Sequence, residues 1–206
     1  MAETGSNRAK ARVVVGVAGS YCAGKSTVAQ RLVDRGFVEI NVDKTGHQAL
    51  RELSDKVVQH FGHHILGEDG LPDRRKVGEI VFANPQALAE LEAILHPRMV
   101  EIVEQRLKDA PGQNCVVDAA LLFPMGLHRL CDFVMWVDAC LPLRLLRALR
   151  RDKFSLLAVL RRIARQRRLS AKFSADVVDI DTVRNYGSRR SLDRRIDSIL
   201  QRRAAG

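Results

Sequence analysis

Residues Gly19 to Ser26 read Gly-Ser-Tyr-Cys-Ala-Gly-Lys-Ser, and this run carries the most explicit chemistry in the chain. Glycines at its two ends let the backbone approach a ligand closely and take angles that a Cβ hinders. The turn between them wraps its N–H groups around an anion, and the helix expected from Thr27 onward aims its positive end at the same place. Lys25 suits the β- and γ-phosphates as a mobile point charge, and the Ser26 hydroxyl suits Mg²⁺. A nucleoside triphosphate is the ligand this spacing predicts, held by Gly19, Cys22, Ala23, Gly24, Lys25, Ser26 and Thr27.

Other candidates are carboxylates and arginines. Asp43 follows an apolar-ending run, Glu39-Ile40-Asn41-Val42. There it can accept a hydroxyl proton or hold Mg²⁺ through water, and it equally suits the N-cap of a helix over Lys44–Phe61. Asp118 ends Cys115-Val116-Val117, as a Mg²⁺-side carboxylate at a strand end does. Asp138, after Met135-Trp136-Val137, competes for that role; Asp118 is preferred because a loop and apolar segment follow it. Arg147 and Arg151 lie four apart, so they share a helix face, with Arg162 on the next helix. Such a face either grips phosphate or is solvated. His96-Pro97 reads as a helix-breaking turn.

These residues need a scaffold. Apolar runs at Val13–Val17, Phe37–Asn41, Cys115–Asp118, Phe133–Val137 and Val177–Ile180 alternate with helical patterns, which predicts an α/β fold with a parallel sheet covered on both faces. The link from the second run to the third is far longer than one crossover helix requires. It reads as an all-helical insertion, with one helix over Thr45–Phe61, a short one over Arg75–Phe82, and another over Pro85–Leu95 that Pro97 interrupts before a further helical pattern runs to Leu107. An Arg-rich excursion over Leu141–Lys172 reads as a lid.

Composition sets outer limits. The 206 residues carry 34 Lys+Arg against 24 Asp+Glu, a net charge of +10 that favours anionic partners. Aromatic content of 5% is too low for a base-stacking platform. The four cysteines form no C-x-x-C pair and no zinc spacing; three sit in apolar stretches, and Cys22 lies in the phosphate loop. Residues 1–12 read as a flexible tail without a signal's apolar core, and no run is long enough to span a membrane, so a cytoplasmic enzyme is expected.

Taken in order, these segments resemble the dephospho-coenzyme A kinase family, a group of P-loop kinases, over Val13 to Ile199. The resemblance rests on the loop in Gly16–Thr27, Asn41-Val42-Asp43 at an Asp-x-Asp position, and the stretch Asp73 to Phe82. It rests further on Leu95-His96-Pro97, Asp118 to Phe123, Leu130-Cys131-Asp132, Val137-Asp138, Arg151-Asp152, Arg162 to Gln166 and Ala175 to Val178. It implies a P-loop kinase-like fold: a five-stranded parallel sheet flanked by helices, with an α-helical substrate-binding insertion and a helical lid. The nucleotide-binding core would comprise residues 13–44, 113–140 and 176–206, the coenzyme-binding region 45–112 and the lid 141–175. The implied reaction moves a phosphoryl group from ATP, with Mg²⁺, to the ribose 3′-hydroxyl of dephospho-CoA, the last step of coenzyme A synthesis. Asp43 would be the base, Lys25 and Arg147 would act on the phosphates, and Arg147 and Arg151 would join the ATP site. Asp43, His47, Arg74, His96 and Asp118 would face the substrate, and Ser26 and Asp118 the metal. No nucleic-acid or membrane partner is implied. Four residues depart from the family pattern: Asn41 for Asp, Cys22 for Gly, Ala120 for Pro and Pro124 for Glu. Three other readings compete: a kinase of another nucleoside or nucleotide, a basic nucleic-acid-binding ATPase, and a degenerate nucleotide binder motivated by Asn41 and Cys22.

Overall fold

The computed structural model describes residues 12–151 and 178–205. Five strands, β1 (Val14–Gly19), β2 (Val38–Asn41), β3 (Cys115–Asp118), β4 (Phe133–Asp138) and β5 (Ile180–Arg184), form one parallel sheet in the order β2-β3-β1-β4-β5. β1 and β3 are buried along their whole length, which is why they read as unbroken apolar runs. β1 lies between β3, with Val17 opposite Asp118, and β4, with Gly19 opposite Val137. The chain crosses β1 between β3 and β4, so the sheet's topological switch point falls at the carboxyl end of β1, where such sheets bind ligands.

Alternate residues of β1 serve opposite faces. Val15 and Val17 pack with Val28 and Leu32 of α1 (Lys25–Val33) and with Leu192, Ile196 and Ile199 of α7 (Arg189–Ala205). The two helices are pinned by Arg35, whose guanidinium reaches Asp197 at 2.7 Å and Asp193 at 3.3 Å. On the other face Gly16 leaves room for Leu122 and Cys131; a Cβ there would lie 2.9 Å from Leu122 Cδ2. Burial pushes the Cys131 thiol up to about 12, so it is an inert core group. α6 (Leu141–Arg151) follows β4.

The fifth strand begins at Ile180, displaced from the expected Val177–Ile180 run, and Val177 lies outside the described residues. β5 is an edge strand with only Val183 buried, so its Ile-Asp-Thr-Val-Arg sequence lacks the apolar signature of the inner strands.

Residues Asn41–Asp109 form a second compact unit. It contains α2 (Val42–Glu52), α3 (Ser54–Phe61), α4 (Arg74–Ala83) and α5 (Pro85–Lys108) around Ala49, Leu50, Val57, Ile65, Val77, Val81, Leu95 and Ile102. Two expectations are corrected here. The single helix over Thr45–Phe61 is two, parted at Leu53, whose φ of −103° and ψ of 22° leave the helical basin. Asp55 in the first turn of α3 suits a new helix N-terminus. Conversely, α5 runs straight through His96-Pro97. Pro97 removes the bond to the carbonyl of Ala93, at a cost of about 3 kcal/mol. Ala93 is exposed, so water can satisfy that carbonyl, while burial of Leu95, Ile102, Val103 and Leu107 holds the helix on both sides.

Candidate active site

The phosphate loop joins β1 to α1 at the switch point. Ser20 N–H donates to Val137 O at 3.1 Å, and its hydroxyl donates to Asp138 at 3.2 Å, which ties the start of the loop to β4. Ala23 N–H closes a turn onto Ser20 O at 3.0 Å. Cys22 is the third residue of that turn and has φ +56°. Tyr21 has negative φ, which makes this a type II turn, with Cys22 where glycine is favoured. Gly24 caps α1 at φ +94°, and Thr27 and Val28 N–H donate back to its carbonyl. Lys25 and Ser26 therefore open the helix, where first-turn N–H groups and the dipole favour an anion.

Three side chains grip the loop's carbonyls. Arg144 Nε donates to Tyr21 O at 2.9 Å. Arg147 Nη1 donates to Ala23 O at 2.9 Å and its Nη2 to Asn185 O at 3.2 Å. Asn185 Nδ2 donates to Ala23 O at 2.8 Å, while its own N–H donates to Asp138 O at 2.7 Å. Of the residues the sequence singled out in this unit, Gly19, Cys22, Ala23, Gly24, Lys25, Ser26 and Thr27 lie along the loop and the first turn of α1, and Arg147 reaches the loop from α6. Asp118 ends β3 beside β1 and is nearly buried. The face of α6 that carries Arg147 is no solvated surface; it rests on the loop through Ala148, Leu145, Tyr21 and Cys22. The side chain of Arg151, together with Arg162, lies outside the described residues. Arg144 and Asn185 were missed. Arg144 sat inside an Arg-rich stretch with nothing to single it out, and a lone Asn after a weak edge strand carries no local signal.

In the helical unit, Asp43 occupies the first turn of α2. The expected capping role falls instead to Asn41, whose side-chain oxygen accepts from Lys44 N–H. Asp43 is exposed and has no side-chain hydrogen bond or ion pair among the described residues. A cavity of about 1180 Å³ opens beside α2, the Gly67–Pro72 loop and the start of α4. His47 and Arg74 both line it, with Lys44, Arg51, Arg75, Lys76 and Arg106. Two of its carboxylates are already engaged: Glu52 by Arg98 at 2.6 Å, and Asp73 by the N–H groups of Arg75 and Lys76 as the cap of α4. Those bonds hold both acids below the usual carboxylate range. The six Lys and Arg side chains of the wall outnumber its four carboxylates, Glu52, Glu68, Asp69 and Asp73, so the wall suits an anion. His96 is not part of that wall; it is half-buried on α5, and burial lowers its pKa, with Glu92 opposing in part.

A parallel sheet with a phosphate loop at its switch point, arginine donors from a following helix and a basic cavity in a helical insertion defines a P-loop kinase. Sequence comparison narrows this. The model of the dephospho-CoA kinase family matches residues 13–185. The dephospho-CoA kinase of Moorella thermoacetica is 37% identical over 150 residues, 69% of this chain and 71% of its own. That of Bacillus licheniformis is 33% identical over 194 residues, 91% of this chain and 95% of its own. The solved dephospho-CoA kinase of Campylobacter jejuni superimposes with a TM-score of 0.67 at 28% identity, covering 94% of this chain and 98% of its own. The chain belongs to the dephospho-CoA kinase family.

Proposed function

We propose that this protein transfers the γ-phosphoryl group of ATP to the ribose 3′-hydroxyl of dephospho-CoA, giving coenzyme A and ADP. The observation that carries this reading is the Gly19–Thr27 loop, closed by its turn and opening onto α1 at the sheet's switch point, in a chain of this family. Phosphoryl transfer needs little covalent help; it needs in-line positioning, charge neutralisation and water exclusion.

The roles divide between the two units. Lys25 neutralises the β- and γ-phosphates. Arg147 has two of its five N–H donors on carbonyls, which leaves others for phosphate oxygens. Ser26 and Asp118 offer a hydroxyl and a carboxylate, hard oxygen donors of the kind Mg²⁺ prefers when phosphates and water complete its shell. Ser26 and Asp118 would hold the ion, whose charge would offset that of the phosphates. Asp43, exposed and uncommitted, is the base that accepts the 3′-hydroxyl proton. The basic cavity with His47 and Arg74 takes the diphosphate-bearing part of the acceptor.

The test is a coupled ADP-release assay with ATP and Mg²⁺, with and without dephospho-CoA, and the product weighed by mass spectrometry. The expected result is turnover that depends on dephospho-CoA, with one phosphate added to it. ADP release that ignores dephospho-CoA, or responds to another nucleoside instead, overturns the proposal.

A further inference from the structure

Two carbonyls of the phosphate loop are held by side chains more than a hundred positions away in sequence. Arg144 holds Tyr21 O, and Asn185, together with Arg147, holds Ala23 O. Arg144 is 6% exposed and Asn185 9%, so neither bond competes freely with water.

The consequence follows from peptide geometry. In a trans peptide the C=O and the next N–H point to opposite sides, and no cis peptide occurs among the described residues. Fixing Tyr21 O toward α6 turns Cys22 N–H to the far side of the loop, and fixing Ala23 O toward α6 and Asn185 does the same for Gly24 N–H. The N–H between them, that of Ala23, is used to close the turn on Ser20.

Neither orientation is the chain's default. Rotating the Tyr21–Cys22 peptide plane converts the type II turn into type I and brings Cys22 back to negative φ, where a residue with a Cβ is at ease. Gly24 can take either sign of φ and so does not fix the Ala23–Gly24 peptide by itself. The outward bonds are what select these conformations.

We propose that Arg144 and Asn185 are positioning residues of the nucleotide site, holding the Tyr21–Cys22 and Ala23–Gly24 peptides so that the Cys22 and Gly24 N–H groups face the phosphates. This rests on the reading of Gly19–Thr27 as the nucleotide site. It differs from packing support in one respect: the need for Arg144 depends on which residue stands at 22. With glycine there, the turn keeps positive φ without strain, and the clamp becomes partly dispensable.

The experiment measures ADP affinity by titration calorimetry, with no acceptor present, in Arg144→Met, Cys22→Gly, Arg144→Met/Cys22→Gly, Arg144→Lys and Asn185→Asp, alongside thermal melting. Arg144→Met is expected to raise the ADP Kd by about tenfold or more, as loss of a hydrogen bond from a charged donor does. The double variant is expected to recover most of that loss, and Arg144→Lys part of it, while the KM for dephospho-CoA stays unchanged. A folded Arg144→Met protein with parental ADP affinity, or a double variant as weak as Arg144→Met alone, overturns the proposal. If Arg144→Met does not fold, Asn185→Asp decides, since it exchanges donor for acceptor at unchanged size; parental affinity in that folded variant overturns the proposal equally. Because ADP binding is read without acceptor, failure of the parent chain to phosphorylate dephospho-CoA bears on the reaction alone.

Discussion

Asn41 caps the helix that carries Asp43: its side-chain oxygen accepts from Lys44 N–H at 3.2 Å. Asp43 therefore stands two residues inside α2 with no capping duty. A carboxylate relieved of structural work and exposed at the surface is free to take a proton from a substrate. Asp43→Asn is expected to lower kcat by about 10²- to 10⁴-fold, the usual worth of a general base, with ATP affinity and melting temperature near parental. Steady-state kinetics beside a melt checks this; a kcat within about threefold of parental removes Asp43 as the base.

The same cap makes the Asn41 departure benign for folding. Asn and Asp cap about equally, while Ala forfeits about 1 kcal/mol. Asn41→Asp should melt with the parent, and Asn41→Ala several degrees lower. A lower melt for Asn41→Asp would show that the neutral side chain matters beyond its capping oxygen.

Cys22 is the one non-glycine residue with positive φ among the described residues. That basin costs an L-residue about 1–2 kcal/mol. A hydrogen bond from a charged donor is worth about 1.5–3 kcal/mol, so the Arg144–Tyr21 bond suffices to hold it there. Cys22→Gly removes the strain but adds about 0.5–1 kcal/mol of unfolded-chain entropy. The expected net is a melting temperature equal to the parent's or slightly higher, with ADP affinity retained. A clear loss of stability by differential scanning calorimetry would mean that Cys22 packing against α6 outweighs the backbone term.

The parts legible in sequence were those written in contiguous residues. The phosphate loop is one eight-residue motif. The inner strands β1, β3 and β4 are apolar runs because both faces of the sheet are covered. What stayed hidden depends on partners distant along the chain. Asn185 and Arg144 matter through carbonyls 162 and 123 positions away, and nothing in their neighbours marks them. Helix ends failed where propensity and packing disagreed: Leu53 sits on the apolar face yet parts two helices, and Pro97 stands inside one. β5 was misplaced because an edge strand needs only one buried side chain.

His96 offers a pH test of the helical unit. Burial favours its neutral form, so its folded pKa lies below the unfolded value near 6.5. Above pH ~6.5 it is neutral in both states and the contribution is constant. As pH falls through 6.5 the unfolded chain takes up a proton that the folded chain resists, so stability declines until pH passes below the folded pKa. Melts of the parent between pH 8 and 5 should show this decline, and His96→Gln should flatten part of it. Parallel curves for the two proteins would show that His96 does not contribute.

Arg147 joins two segments that share no local sequence, Ala23 in the phosphate loop and Asn185 after β5. Its planar guanidinium reaches both carbonyls with separate nitrogens, and Ala23 O is shared with Asn185 Nδ2 at 2.8 Å. A lysine ammonium is a single point and cannot reproduce that fork while also reaching a phosphate. Arg147→Lys and Arg147→Ala should therefore weaken ATP binding alike, by about tenfold or more, with kcat falling further if the remaining donors act on the transferring group. Recovery of ATP affinity in Arg147→Lys would show that charge alone suffices. An unchanged KM for ATP in Arg147→Ala would place Arg147 with the structural contacts of α6, leaving Arg144 and Asn185 to hold the loop.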